Sequence, residues 1–322
     1  MDKAKLEGNI ALFVSKTFSG LNANALKYLI PVWISPLAGV DYRIYFGALA
    51  FWIISLFSKK KEKVFRKDKI ELMILGALGF YVFQLTYLIS LKYTTPVSVS
   101  ILNSLMPTWT FLFGVFMFKT EYFTWSRAIG LIISISGAIL SMFAERSPEL
   151  APKPLLGDSL AIIGSIVYSL YLIYSKKKLA KVSNISMLKW SFTGAASAAL
   201  IVDMLLIFVL PLFDINIYKT LLQSKLTTPH INWLPILILL FILIFPTVIS
   251  FFLLQYGLKR LSATIVASYT NVLIIVTTIV ALILGQDKFN LIQMTSILML
   301  FVGLYFVSRV SSTRTRSTDA IT

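Results

Sequence analysis

Leu91-Lys92-Tyr93-Thr94-Thr95-Pro96-Val97-Ser98-Val99-Ser100 and Leu258-Lys259-Arg260-Leu261-Ser262-Ala263-Thr264-Ile265-Val266-Ala267 follow one pattern. Each ends a Tyr/Leu-rich apolar run in a polar turn and opens the next run with small and β-branched residues. The spacing carries forward, because Glu121 and Gly137 align with Asp287 and Gly303, and it carries backward, because Gly8 matches Gly157. Such a period predicts two five-helix units, residues 8–144 and 155–308, followed by a tail over 309–322. Five is odd, so the second unit enters the membrane from the opposite side and the two matching turns fall on opposite surfaces. Inverted repeats of this kind enclose a central cavity on a pseudo-twofold axis in the membrane plane.

Composition agrees with a membrane chain. Of 322 residues, 57% are hydrophobic and 14% charged, and the mean hydropathy is +0.81, whereas soluble domains carry about 25% charged residues. The apolar residues come in blocks near the length that crosses about 30 Å of hydrocarbon. They predict ten helices, over 10–30, 36–57, 70–91, 96–118, 124–143, 157–175, 186–210, 233–256, 263–284 and 290–308. The expected fold is an all-α integral membrane protein of ten transmembrane helices. The first block is kept as a helix rather than a signal peptide, since Lys16, Asn22, Asn24 and Lys27 interrupt it and no small-residue cleavage site follows.

Charge sets the orientation. With the amino terminus in the cytoplasm, 20 of the 30 Lys and Arg residues fall in inside segments and six outside, and Lys16, Lys27, Arg43 and Lys189 lie within spans. The strongest contribution is the 58–69 loop, SKKKEKVFRKDK, with seven basic residues that are costly to translocate. Both termini are therefore expected in the cytoplasm and the protein in the inner (plasma) membrane. Because the basic residues sit in loops and at helix ends, the net charge of +16 marks topology and nucleic acid is not an expected partner. The expected partners are the lipid bilayer and a small-molecule substrate.

These features resemble the drug/metabolite transporter superfamily, and within it the EamA-type ten-helix transporters built from two tandem EamA-like units. The likeness covers about residues 8–308. It rests on YLISLKYTTPVSVSILNSLMP from Tyr87 to Pro107, on Glu121, Gly130 and Gly137, and on GDSLAIIGSIVYSLYLIYSKKKL at 157–179. The second half departs further from the pattern. Ile274 stands where family members commonly repeat the proline of Pro107, Asp287 replaces a common Glu, and Ser296 replaces a small-residue Gly in helix 10. The resemblance implies a secondary transporter that exports a small metabolite, such as an amino acid or related compound, by alternating access.

A carrier needs polar groups at mid-membrane, where an unpaired one is costly unless it faces a cavity or a partner. Asn103 in helix 4 and Asn271 in helix 9 are nearly equivalent in the two repeats, and Gln84 in helix 3 and Gln255 in helix 8 also come from repeat-related helices. Each can line a pathway or hydrogen-bond across packed helices, although Gln255 lies close enough to the interface to be merely hydrated. Lys16, a third of the way through helix 1, either snorkels, pairs internally, binds a substrate carboxylate or alternates with a proton. Asn22 lies in a small, polar stretch suited to close packing or local unwinding, and Trp109, Tyr168 and Tyr269 are deep aromatics that can line a pocket or face lipid. Lys16 and Asp203, read in helix 7 as the only carboxylate well inside a predicted span, are the candidates for coupling; Pro107 and Pro246 are candidate hinges.

No cofactor and no metal is expected. The chain has no cysteine and a single histidine, His230, in a polar loop, which leaves no obvious machinery for zinc hydrolysis or acyl transfer. A channel or facilitator for a small solute is the rival reading. An intramembrane enzyme would need clustered Asp, His or Ser groups near an interface, and the sequence offers none.

Overall fold

The computed structural model describes residues 3–30, 32–58, 62–119, 121–209, 233–288 and 290–308. His230 and the 309–322 tail lie outside the described residues. The described residues form helices and connecting turns: α1 (Lys3–Leu29), α2 (Pro36–Leu56), α3 (Arg66–Tyr93), α4 (Pro96–Phe116), α5 (Trp125–Met142), α6 (Pro154–Leu179), α7 (Asn184–Phe208), α8 (Trp233–Arg260), α9 (Ala263–Ile283) and α10 (Leu291–Ser308). Eight of these, α2 to α9, are long and apolar enough to cross a bilayer. The apolar part of α10 is shorter, Leu291–Val307. Helix α1 is 27 residues long, but its lysines and asparagines keep it less apolar than the eight. Large apolar side chains such as Leu56, Phe116, Ile132 and Ile283 remain exposed on the bundle exterior, as a lipid-facing surface requires.

Several helices outrun the apolar blocks that announce them. Arg66, Lys67 and Asp68 belong to α3, Lys176, Lys177 and Lys178 to α6, and Lys259 and Arg260 to α8. Apolarity reports the thickness of hydrocarbon, while Lys and Arg continue a helix readily into water.

Packing follows the repeat. If α1 to α5 correspond to α6 to α10, a twofold relation demands that α1 on α8 be matched by α6 on α3, and α1 on α9 by α6 on α4. Both pairs of contacts are present, as are the self-matched pairs α2–α7, α4–α9 and α5–α10. The correspondence reaches single residues. An added Cβ at Gly8 would meet Arg260 and Leu261 beyond 3.2 Å, and one at Gly157 would press on Thr94 at 2.8 Å, so each glycine seats its helix on the other half's turn. Between α5 and α10, Gly130 faces the Gly303 carbonyl and Gly137 faces that of Ser296, which exchanges repeat mates across the crossing.

The two matching turns start their helices in the same way. Thr95 Oγ1 accepts from Ser98 N at 3.3 Å and Ser262 Oγ from Ile265 N at 3.3 Å, each satisfying an otherwise free amide at a helix start. Thr95→Ala and Ser262→Ala are each expected to cost about 1 kcal/mol, read as a fall in the thermal unfolding midpoint of the detergent-purified protein. Similar losses are expected from both because the caps are repeat copies.

Helix irregularities are duplicated too. The α-helical part of α4 ends at Asn103 and resumes at Met106, placing Pro107 in the first turn of the second segment, where its missing N–H removes no bond that a helix start would make. Helix α9 breaks at Tyr269 without a proline. Both α3 and α8 contain a seven-residue π segment, Leu75–Tyr81 and Leu243–Ile249, at distances from their turns that differ by a single residue. Only the second contains a proline, Pro246.

Candidate functional site

A cavity of about 60 Å³ lies where seven helices meet: α1, α2, α3, α4, α6, α8 and α9. Its walls include Ser15, Lys16, Ser19 and Asn22 of α1, Arg43 of α2, Phe83, Gln84 and Tyr87 of α3, Asn103 of α4, Tyr168 of α6, Pro246, Ser250 and Phe251 of α8, and Thr270 of α9. Of the sequence-derived candidates, Lys16, Asn22, Gln84, Asn103, Tyr168 and the hinge Pro246 are brought together here.

Pro246 stands on one wall. It lies in the π segment Leu243–Ile249 and has no N–H of its own to donate, and beside it Thr247 Oγ1 donates to the Ile242 carbonyl at 2.8 Å. The same hydroxyl accepts from Arg43 Nε at 3.1 Å, and an Arg43 terminal nitrogen donates to Gln84 Oε1 at 3.1 Å. A threonine of α8 thus helps hold an arginine of α2 against a glutamine of α3. Arg43 is a cavity residue that sequence reasoning misses, counting it only as a charge within a span. Its eighth place in the 36–57 block is the available signal, since a charge that deep seldom faces lipid.

Two cations therefore share the cavity. Lys16 is 6% exposed and Arg43 3%, and neither has a carboxylate within ion-pair distance among the described residues. Lys16 is buried rather than snorkelling, and it makes no internal salt bridge among the described residues. Among the described residues no acidic side chain lines the cavity. Asn22 Oδ1, Gln84 Nε2 and Asn103 Oδ1 are buried without hydrogen-bond partners among the described residues. Phe83 packs on Tyr168 at 4.3 Å between ring centres and on Tyr87 at 5.8 Å, which makes one side of the cavity aromatic.

The other candidates lie elsewhere. Thr270, not Asn271, faces the cavity: the two are one residue and so about 100° of helix rotation apart. Gln255 is fully buried, not hydrated at an interface, and donates to the Tyr171 hydroxyl at 2.9 Å. Trp109 donates to Ser165 Oγ at 3.0 Å and Tyr269 to Asn9 Oδ1 at 3.0 Å, both joining helices. Pro107 lies next to the α4 break but not on the wall. Asp203 also lies off the cavity, accepting from the Tyr45 hydroxyl at 3.0 Å. It is not the lone carboxylate in the spans, because Asp41 of α2 is its electrostatic neighbour.

Each end of the bundle is tied by a lysine on its turn's carbonyls and by an arginine–carboxylate–threonine network, and the two networks differ in burial. At the end bearing the 91–95 turn, Arg146 and Asp158 pair at 2.7 Å with both side chains essentially inaccessible, and Thr94 Oγ1 joins them at 2.9 Å. Lys27 donates there to the carbonyls of Leu91, Thr94 and Leu150, each at 2.8 Å. At the end bearing the 258–262 turn, Lys176 donates to the carbonyls of Leu258 at 2.7 Å and Lys259 at 3.1 Å. The less buried Arg127–Glu121 pair there, at 2.9 Å, is joined by Thr264 Oγ1 at 3.0 Å, while Arg260 and Glu7 are 3.9 Å apart and partly exposed. A second cavity, of about 420 Å³, opens there between α4, α6 and α9, beside Lys176, Lys177 and Thr264.

The EamA-like transporter family model matches residues 6–143 and 155–309, so it covers each half of the chain once. YyaM of Bacillus subtilis (strain 168), described as an uncharacterized transporter, is 21% identical over 97% of this chain and 98% of its own length. YetK of the same organism, with the same description, is 21% identical over 86% of this chain and 78% of its own. The thiamine-repressible mitochondrial transport protein THI74 of Saccharomyces cerevisiae is 31% identical over 35% of this chain and 31% of its own. One solved crystal structure, 16% identical, superposes with a TM-score of 0.62 over 95% of this chain and 96% of that one, a likeness of fold. Family and relatives alike are transporters, and the apolar helices make this a multi-pass membrane protein. With both halves matched by the same model and packed as repeat copies, the chain belongs to the EamA-like transporter family.

Proposed function

We propose that the protein is a secondary carrier with ten membrane crossings that exports a small metabolite, an amino acid or related compound, by alternating access through the central cavity. The observation that carries this is the cavity's position at the junction of repeat-related helices. Helices α1, α3 and α4 and their mates α6, α8 and α9 all contribute wall, so exchanging the conformations of the halves would expose the same groups to the other side. At about 60 Å³ the cavity holds about two waters' worth of space. Cargo entry therefore requires helix movement, as a carrier needs and an open channel does not.

The charge asymmetry of the loops supports an orientation with both termini in the cytoplasm and the 91–95 turn outside, in a protein of the inner (plasma) membrane. On that orientation the Arg146–Asp158–Thr94 network closes the outer end and the wider cavity faces inward. A chain without cysteine allows a direct check. The thiol introduced by Glu149→Cys is expected to react with an impermeant maleimide on intact cells, and that introduced by Lys67→Cys only after permeabilisation. The reverse pattern would invert the topology.

Transport itself is tested by counterflow. Purified protein in liposomes preloaded with an unlabelled amino acid mixture is expected to accumulate the matching labelled amino acid transiently and saturably. Flux without saturation or exchange would favour the channel reading. Asp203 beside Asp41 is the proposed coupling site, since it can take up a proton without occupying the cargo cavity. Asp203→Asn is then expected to abolish accumulation driven by an imposed pH gradient while leaving counterflow intact.

A further inference from the structure

Resting on the carrier reading and narrowing its cargo from amino acids at large to compounds with a net negative charge, we propose that the transported compound is a small organic anion, whose carboxylate or phosphate oxygens are held by Lys16 and Arg43 against an aromatic wall.

A buried ion without a counter-ion is among the least favourable arrangements in a low-dielectric interior, and buried charges in folded proteins are ordinarily paired. This cavity holds two, of the same sign, with no acidic group on its walls among the described residues. Arg43 meets only the neutral oxygens of Thr247 and Gln84, and no hydrogen bond or ion pair satisfies the Lys16 ammonium among the described residues. A cationic cargo would bring in a third positive charge. A neutral or zwitterionic one would leave the site at about +2, whereas an anion brings it towards neutrality. The unpartnered Gln84 Nε2 adds a donor for the same oxygens. Phe83, Tyr87 and Tyr168 offer an apolar face to a carbon skeleton, which favours an organic anion over an inorganic one.

The test loads liposomes carrying the full-length protein with a polar metabolite extract of cells and identifies by mass spectrometry what leaves faster than from protein-free liposomes. The expected result is that these species are anions at pH 7. Their masses separate carboxylates from phosphates. Efflux is expected to fall at least about tenfold in Lys16→Gln and in Arg43→Gln, the size of one lost charge-assisted contact, with Arg43→Lys falling less than Arg43→Gln. Size-exclusion profiles establish that each variant is folded; should Arg43→Gln fail, Lys16→Gln and Arg43→Lys suffice. Movement chiefly of neutral, zwitterionic or cationic species, or anion efflux unchanged in these variants, would overturn the anion site while leaving the carrier intact. If nothing leaves through the unaltered protein, the carrier reading falls and takes this proposal with it.

Discussion

Arg146→Leu is expected to destabilise the protein by about 3–5 kcal/mol, the usual consequence of stranding one member of a buried ion pair. Arg146 and Asp158 meet at 2.7 Å, and their side chains are 1% and 0% exposed. The guanidinium also donates to Thr94 Oγ1 at 2.9 Å and to the Ser141 carbonyl at 2.6 Å. Removing it leaves the Asp158 carboxylate with only the Thr94 hydroxyl. The arginine lies in the connection between the halves, the aspartate in the first turns of α6 and the threonine in the 91–95 turn, so the loss falls on the junction of the repeats. Thermal or denaturant unfolding in detergent checks the size. The discriminating measurement is Arg146→Leu/Asp158→Leu, which removes both charges and is expected to recover most of the lost stability. If the double variant is as unstable as the single one, the network's worth lies in its shape and hydrogen bonds rather than in its charge.

The twofold architecture is legible because symmetry writes the same turn twice. Leu91–Ser100 and Leu258–Ala267 share a pattern because each turn must cap a helix start and seat a glycine of the other half, constraints that act on identifiable side chains. The α9 break is not legible. In α4 it comes with Pro107, a residue whose backbone chemistry can be read from its name, but Tyr269 and its neighbours break α9 in an arrangement that no single residue announces. The π segment of α3 is hidden in the same way, lacking the proline that its α8 counterpart has.

The site is legible in kind and less so in detail. A polar residue deep in an apolar block must face something polar, which is why Lys16, Asn22, Gln84 and Asn103 meet in one cavity. The rule does not say what is faced. Gln255 satisfies it through the Tyr171 hydroxyl, and Trp109 through Ser165. Nor does it resolve a step of one residue, and α9 turns Thr270 rather than Asn271 inward. Arg43 escapes because its role depends on three helices at once: Thr247 of α8 is held by its bond to the Ile242 carbonyl, Gln84 stands on α3, and the arginine of α2 fills the gap between them. Such a chain exists only once the helices are packed.

Gly194→Leu is expected to separate α7 from α3 at a cost of about 3 kcal/mol, the upper part of the range for overpacking a tight contact. A Cβ on Gly194 would overlap the Met73 backbone, and one on Gly76 would overlap the backbone of Ser191. The two glycines thus make a reciprocal crossing in which the obstacle is main chain, so no rotamer change relieves the clash. Leucine is a demanding choice because it makes α7 more apolar and so favours membrane insertion; any loss arises in helix packing. Reciprocity gives a sharper expectation. Once one substitution has forced the helices apart, the second meets less resistance, and Gly76→Leu/Gly194→Leu should cost clearly less than the sum of the single variants. The comparison residue is Gly285, which has a φ of +64° and open space within 4 Å of where a Cβ would stand, so Gly285→Leu should incur only the backbone strain of the left-handed conformation, about 1–2 kcal/mol. Because α3 carries Gln84, separation of α3 from α7 should also lower transport in those molecules that remain folded, measured as counterflow per inserted protein. Additive losses from the two glycine substitutions would mean that the helices yield independently at each contact and that the crossing is softer than its backbone geometry implies.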